Sequence, residues 1–297
     1  MSADEVTVNS ARRVVAAEPS GIDDRWRVRP RPTPFALAVA LPHLWLRREL
    51  LFNMTVRSIR VQYKQSVLGY AWLLLNPLAQ LGTLTFVFTV VFHASNSGNV
   101  PFILFLAAGL FPWNFFSAAV SHATESVISA SRIIDAVYFP REFLVVSTIL
   151  IRLVDFAVTL LILFGAMLAY GYSITWTAAW VPLIFAMQLT FTVGLSLPLA
   201  GLNLFFHDVR YLVGVLLNLW FFFTPIFYSV DSVPSRYRVI YELNPMARFV
   251  GAYREALLDH GSPALGGLVL AFAGTGLTLA VGYYLFRLME PHFADRA

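Results

Sequence analysis

From residue 68 onward the chain alternates between long apolar runs and short polar breaks. The runs cover 68–92, 101–120, 143–170, 178–206, 211–228 and 264–288. Most reach or exceed the roughly 20 residues that an α-helix needs to cross the hydrocarbon core of a bilayer. No period-two alternation suggests strands, and a chain inside hydrocarbon must satisfy its backbone polar groups within helices. The pattern predicts an all-α, polytopic membrane protein with six transmembrane helices. The fifth run is the shortest, and Pro198 is expected to kink the fourth.

Two further segments carry a helical pattern. Residues 35–66 hold a basic, partly amphipathic stretch in which Arg57, Arg60 and Lys64 share one helical face. Phe52, Val56, Ile59 and Tyr63 fall on a neighbouring face. This predicts an interfacial helix, apolar side below the headgroups and cations among anionic lipids. The alternative is a juxtamembrane helix that only anchors the first span. Between the last two runs, 229–263 contains apolar patches at 237–241 and 246–258. Both are too short and too charged to span, and a pair of re-entrant or gate helices is expected there, against the alternative of a plain loop. Residues 1–34 are polar and Arg-rich, with no apolar h-region of a signal peptide. They are expected to form a disordered basic cytoplasmic tail, and 67–297 the six-span transmembrane domain.

Charge adds direction. Of 21 Lys and Arg, sixteen fall on the side holding both termini, four on the other and one, Arg152, inside a span. The positive-inside rule puts both termini in the cytoplasm, with the protein multi-pass in the inner, or plasma, membrane. Hydrophobic residues make up 58% of the 297 and charged ones only 13%, which excludes an ordinary soluble domain. The net charge of +4 does not imply nucleic acid, because the cations crowd the membrane-proximal N-terminal region.

Catalytic chemistry is not written in the sequence. Lys64 is the only lysine and no glycine-rich P-loop precedes it, so nucleotide hydrolysis by that route is excluded. There is no cysteine, and the six histidines show no metal-ligand spacing, so each reads as interfacial. No metal or cofactor is expected. A membrane-embedded glycosyltransferase would need convergent acids at one membrane face, and none is evident.

Two features inside the spans could carry function. Arg152 and Asp155 stand i, i+3 and face the same way. They mark either a polar point in a translocation path, or a two-state switch, or a neutralised pair that orders helix packing. Aromatic residues reach 15% of the chain. Tyr70, Trp72, Phe86 and Phe88 in the first run and Trp220, Phe223 and Phe227 in the fifth could line a channel on which sugar rings slide. The alternative is lipid-facing bulk and an interfacial aromatic belt.

Four blocks of residues resemble a known family. They are VQYKQSVLGYAWLLLNP at 61–77, AAGLFPWNFFS at 107–117, VYFPREF at 137–143, and FTPIFY at 223–228 taken with LNP at 243–245 and YREAL at 253–257. In this order they resemble the permease subunits of ABC-2-type exporters of polysaccharides, the O-antigen and teichoic-acid group. The resemblance implies a homodimer paired with two copies of a separate ATPase, which would bind ATP and Mg, and a lipid-linked glycan as substrate. It implies that 124–142, with Arg132, Asp135, Tyr138, Phe139, Pro140, Arg141 and Glu142, couples to the ATPase. It makes 229–263 an outer gate, with Asn244, Pro245, Tyr253, Arg254 and Glu255. Arg57, Arg60 and Lys64 would then flank the substrate entrance. Asp135 and Ala136 depart from the basic residues common before YFPRE, so the charge of the docking surface is left open. A permease for a small hydrophobic compound or lipid is the rival reading.

Overall fold

The computed structural model describes residues 48–63, 69–93, 100–129, 141–259, 261–262 and 265–295. The regular elements described there are helical: α1 Arg48–Tyr63, α2 Trp72–Phe86, α3 Phe102–Ser129, α4 Glu142–Ala169, α5 Val181–Phe205, α6 Val209–Phe222, α7 Arg238–Leu243, α8 Pro245–Leu257 and α9 Leu265–Met289. Short 3-10 turns lead into α2 and α5, and α2 loosens into a π-turn over Val87–Val91. Five of the described helices, counted with their flanking turns, are long and apolar enough to cross a membrane.

The fifth run departs from its expected span. Helix α6 has 14 residues, about 21 Å at 1.5 Å per residue, against a hydrocarbon core of roughly 30 Å. The helix stops because Pro225 lacks an N–H and its ring pushes Thr224 away from helical geometry. Residues 223–229 continue without a regular helix.

Helix α3 is longer than its apolar run. Residues 121–129, expected in a polar loop, extend it by about two and a half turns. Their hydroxyls are absorbed by the helix: Thr124 donates to the Val120 carbonyl and Ser126 to that of Ala123. Asn203 of α5 donates to the Thr124 carbonyl. The first residues of the expected coupling segment are therefore the end of α3. Residues 130–140 lie outside the described residues.

Helix α3 is the centre of the bundle. Of its most apolar stretch 78% is buried, against 6% for the first span and 17% for the last. It packs on α4, α5, α6 and α8. Helix α9 lies against α5 where Gly194 meets Gly282; a Cβ at Gly282 would lie 1.8 Å from the Gly194 carbonyl oxygen. Small residues let the backbones touch, which drives helix association where lipid offers no hydrophobic gain. Pro198 sits inside an α5 that runs through it. Helix α1 packs along α4; among its described side chains Leu51 is buried, and Phe52 is exposed, as a side chain facing lipid would be.

Candidate functional site

Four helices turn one polar stripe each toward a shared chamber of about 750 Å³. Helix α2 supplies Trp72, Asn76 and Gln80, four residues apart. Helix α3 supplies Asn114, Ser117 and Ser121, with His122 beside them. Helix α4 supplies Arg152, Asp155 and Thr159, and α6 supplies Gly214 and Asn218. Every spacing is i, i+3 or i+4, the repeat that keeps side chains on one helical face. Gln80 accepts from the Asn114 side-chain amide at 2.7 Å, which joins α2 to α3. Arg152 donates to Asp155 at 2.8 Å. A charge within a span costs about 2.5–3.5 kcal/mol, and pairing these two leaves no net charge between them.

A second polar system holds the far end of α6. The break after Phe222 frees carbonyls inside apolar surroundings, where each unmet group is costly. Helix α8 supplies the donors. Arg254 donates to Pro225 at 2.7 Å and Ile226 at 2.6 Å, and also to Phe105 of α3. Its guanidinium lies 3.5 Å from the Phe105 ring centre. Burial pulls the pKa of Arg254 down to about 9, opposed by Asp259, so it remains a cation at neutral pH. Asn244 caps α8 by accepting from the backbone of Met246, and its amide donates to the Phe223 carbonyl. The Trp220 indole donates to Asn244 at 2.8 Å. Tyr253, fully buried, donates to Gln188 of α5, which in turn donates to the Pro112 carbonyl of α3. Pro245 starts α8 at a position where its missing N–H costs nothing. Glu255 lines a separate, smaller pocket between α5, α8 and α9.

The opposite end of the bundle carries the last two residues of YFPRE. Arg141 donates to the Glu290 carbonyl at 2.8 Å and lies over the Phe293 ring. Glu142, 5% exposed, pairs with Arg287 of α9 at 3.5 Å. The start of α4 is thus knit to the end of α9. Arg132, Asp135, Tyr138, Phe139, Pro140 and Lys64 lie outside the described residues, as do the side chains of Arg57 and Arg60.

The aromatic residues divide. Tyr70, Trp72, Phe86 and Phe223 are exposed on the protomer. Phe88 and Phe227 instead stack on each other at 5.0 Å, and Trp220 packs edge-on against Phe116 and Trp113. The structure does not gather the seven into one surface. The sequence reading misses Asn76, Gln80, Asn114, Ser121 and Asn218, and takes His122 as merely interfacial. The available signal is the helical spacing of polar residues inside apolar runs.

The chain matches known proteins over most of its length. The profile of the ABC-2 type transporter family matches residues 49–258. An O-antigen export system permease protein, RfbA, of Myxococcus xanthus is 31% identical over 254 residues, 85% of this chain and 96% of that one. A protein of the same name from Klebsiella pneumoniae is 31% identical over 249 residues, 83% of this chain and 94% of its own. The polysialic acid transport protein KpsM of Escherichia coli is 25% identical over 240 residues, 79% of this chain and 91% of its own. By profile and by relatives alike, this chain belongs to the ABC-2 type transporter family, as a multi-pass membrane permease.

Proposed function

We propose that the chain is the permease of an ATP-driven exporter that carries a lipid-linked polysaccharide across the cytoplasmic membrane. It is a transport protein, and hydrolysis belongs to a separate ATPase subunit. The observation that carries the substrate reading is the polar chamber set among apolar spans, in a chain whose relatives are named for O-antigen export and polysialic acid transport. A small hydrophobic cargo would gain nothing from amides, hydroxyls and an ion pair at that depth.

Two copies of the permease act with two copies of the ATPase, which bind ATP and Mg; the permease itself needs no cofactor. Both termini lie in the cytoplasm, where the Lys and Arg concentrate. The 124–142 segment takes the push of the ATPase and passes it to α4 and, through Glu142 and Arg287, to α9. The 229–263 segment forms the outer gate. The exposed aromatics Tyr70, Trp72, Phe86 and Phe223 offer sliding contacts for sugar rings between protomers.

The test is to purify the permease with its own ATPase and add the glycolipid fraction of the host membrane, with its glycan intact or removed. Hydrolysis should rise with the intact glycolipid. A complex that responds equally to both preparations, or a permease that never binds an ATPase, contradicts the proposal.

A further inference from the structure

A second cleft of about 390 Å³ lies between α5, α7, α8 and α9, apart from the polar chamber. It sits near one edge of the apolar band. Ile184 and Met187 belong to the first two turns of α5, and Gly267, Leu268 and Ala271 to the first two of α9. At 1.5 Å per residue, that is within about 10 Å of both helix starts. Trp176, 73% exposed, stands on the turn that leads into α5. An exposed Trp there marks the boundary between water and hydrocarbon. Beside the cleft, α9 turns Val269, Leu270 and Phe272 outward, as a lipid-facing helix does.

The cleft has an apolar floor and a charged wall. Ile184, Met187 and Phe249 are buried and form the floor. The side chains that would fill the space above it are missing. Gly251 of α8 and Gly267 of α9 both line the cleft, and a Cβ at either would meet nothing within 4 Å. Arg248 and Glu255 stand on the same face of α8 as Gly251, and Glu242 joins them from α7. The Arg248 Nε donates to the Glu242 backbone carbonyl at 2.6 Å. Among the described residues, however, no ion pair joins the Arg248 guanidinium to the Glu242 carboxylate. Opposite charges are held in one wall without neutralising each other.

We propose that this cleft binds one zwitterionic aminophospholipid from the adjoining leaflet, with its phosphate on the terminal nitrogens of Arg248, its ammonium on the Glu242 carboxylate and the start of an acyl chain over the apolar floor. The inference rests on the membrane-spanning fold and not on the identity of the cargo.

Three features select this lipid. A guanidinium fork matches phosphate oxygens. A carboxylate accepts from an ammonium N–H, which a quaternary amine headgroup lacks. Two carboxylates, Glu242 and Glu255, stand against one guanidinium, so a headgroup with net negative charge is repelled. The volume lies within the roughly 300–1,000 Å³ of small-molecule sites. A lipid seated there braces α8 against α9, supplying the dispersion contacts that the two glycines leave unmade.

The test uses the full permease with its ATPase in detergent, and a phosphatidylethanolamine that carries a photoactivatable group near the head of one acyl chain. Irradiation is followed by identification of the labelled peptides. Unlabelled phosphatidylethanolamine, phosphatidylcholine or phosphatidylglycerol is added in equal amount as competitor. Labelling is expected to concentrate in 184–187, 247–252 and 267–271. Unlabelled phosphatidylethanolamine should lower it at least about fivefold, with little change from the other two lipids. Arg248→Gln should lower it to a similar extent, and so should Gly251→Leu, which fills the cleft and leaves the charges in place. Gly267→Leu takes its place should Gly251→Leu fail to assemble. Equal competition by the three lipids, or labelling spread evenly over the exposed faces of α2, α6 and α9, means annular lipid only and overturns the site. Stronger competition by phosphatidylglycerol overturns it as well, as does labelling that survives both the charge and the filling variants. No glycan enters the assay, so its failure leaves the permease reading untouched.

Discussion

Arg254 places its guanidinium 3.5 Å from the ring centre of Phe105 and donates to that residue's carbonyl. The same group reaches Pro225 and Ile226. One side chain of α8 therefore fastens the central helix to the residues that follow α6. It also explains why FTPIFY and YREAL occur in the same chain: the first frees carbonyls and the second supplies their donors. Removing the fork should cost about 2–4 kcal/mol, since hydrogen bonds to charged groups are worth roughly 1.5–3 kcal/mol each and buried acceptors are left unmet. Arg254→Met should lower the thermal midpoint of the purified complex by several degrees. Arg254→Lys should recover only part of it, because a point charge cannot serve all three carbonyls.

The α5–α9 contact gives a second expectation. A methyl at Gly282 collides with the Gly194 backbone, whereas one at Gly274 or Gly276 meets nothing within 4 Å. Gly282→Ala should destabilise the protein by about 1–3 kcal/mol through forced backbone shifts. Gly274→Ala and Gly276→Ala on the same helix should be neutral or slightly stabilising. Thermal unfolding of the three variants in one detergent separates packing from helix propensity.

Much of this architecture is legible because span length is written in apolar run length. The six runs locate α2, α3, α4, α5, α6 and α9, and the short helices α7 and α8 fall in the patches at 237–241 and 246–258. Two boundaries are not legible, for physical reasons. Apolarity is no guide to helicity at Ile226 and Phe227, because Pro225 acts through the backbone. Residues 121–129 read as a loop because Ser121, His122, Thr124, Glu125 and Ser126 are polar, yet the Thr124 and Ser126 hydroxyls bond back to their own helix. The chamber lies further out of reach. The helical spacing of Asn76 and Gln80 is visible along the chain, but only packing turns their stripe toward Asn114 and Asn218. The hydrogen bond from the Trp220 indole to Asn244 is likewise not legible in the sequence.

The Arg152–Asp155 pair lends itself to a double-mutant cycle. Its side chains are only 13% and 33% exposed, so removing one partner strands the other in a poorly solvated site. Asp155→Asn and Arg152→Gln should each lower stability more than half as much as the two together. The coupling energy should be about 1–2 kcal/mol. Additive losses in thermal unfolding would show that the pair is solvated as though on an open surface.

Glu142 and Arg287 tie the start of α4 to the end of α9 at 3.5 Å. Glu142→Gln should let ATP hydrolysis continue while export falls severalfold, because the ATPase stroke reaches α4 but passes poorly to α9. Arg287→Gln should behave alike, and the double variant should be no worse than either single one. The ratio of glycan delivered to ATP consumed is the measurement. An unchanged ratio in Glu142→Gln would assign the pair to folding alone.

The central claim, a glycan permease driven by a partner ATPase, is tested most directly by transport itself. The complex is reconstituted in sealed vesicles with host glycolipid in the leaflet that faces the ATPase. A glycosidase confined to the other side reports each glycan that crosses. The account predicts digestion that requires permease, ATPase and ATP together, and that falls sharply when Gln80 and Asn218 are both replaced by Ala. ATP-dependent crossing of lipid with no glycan, at the same rate and insensitive to those two replacements, would contradict it.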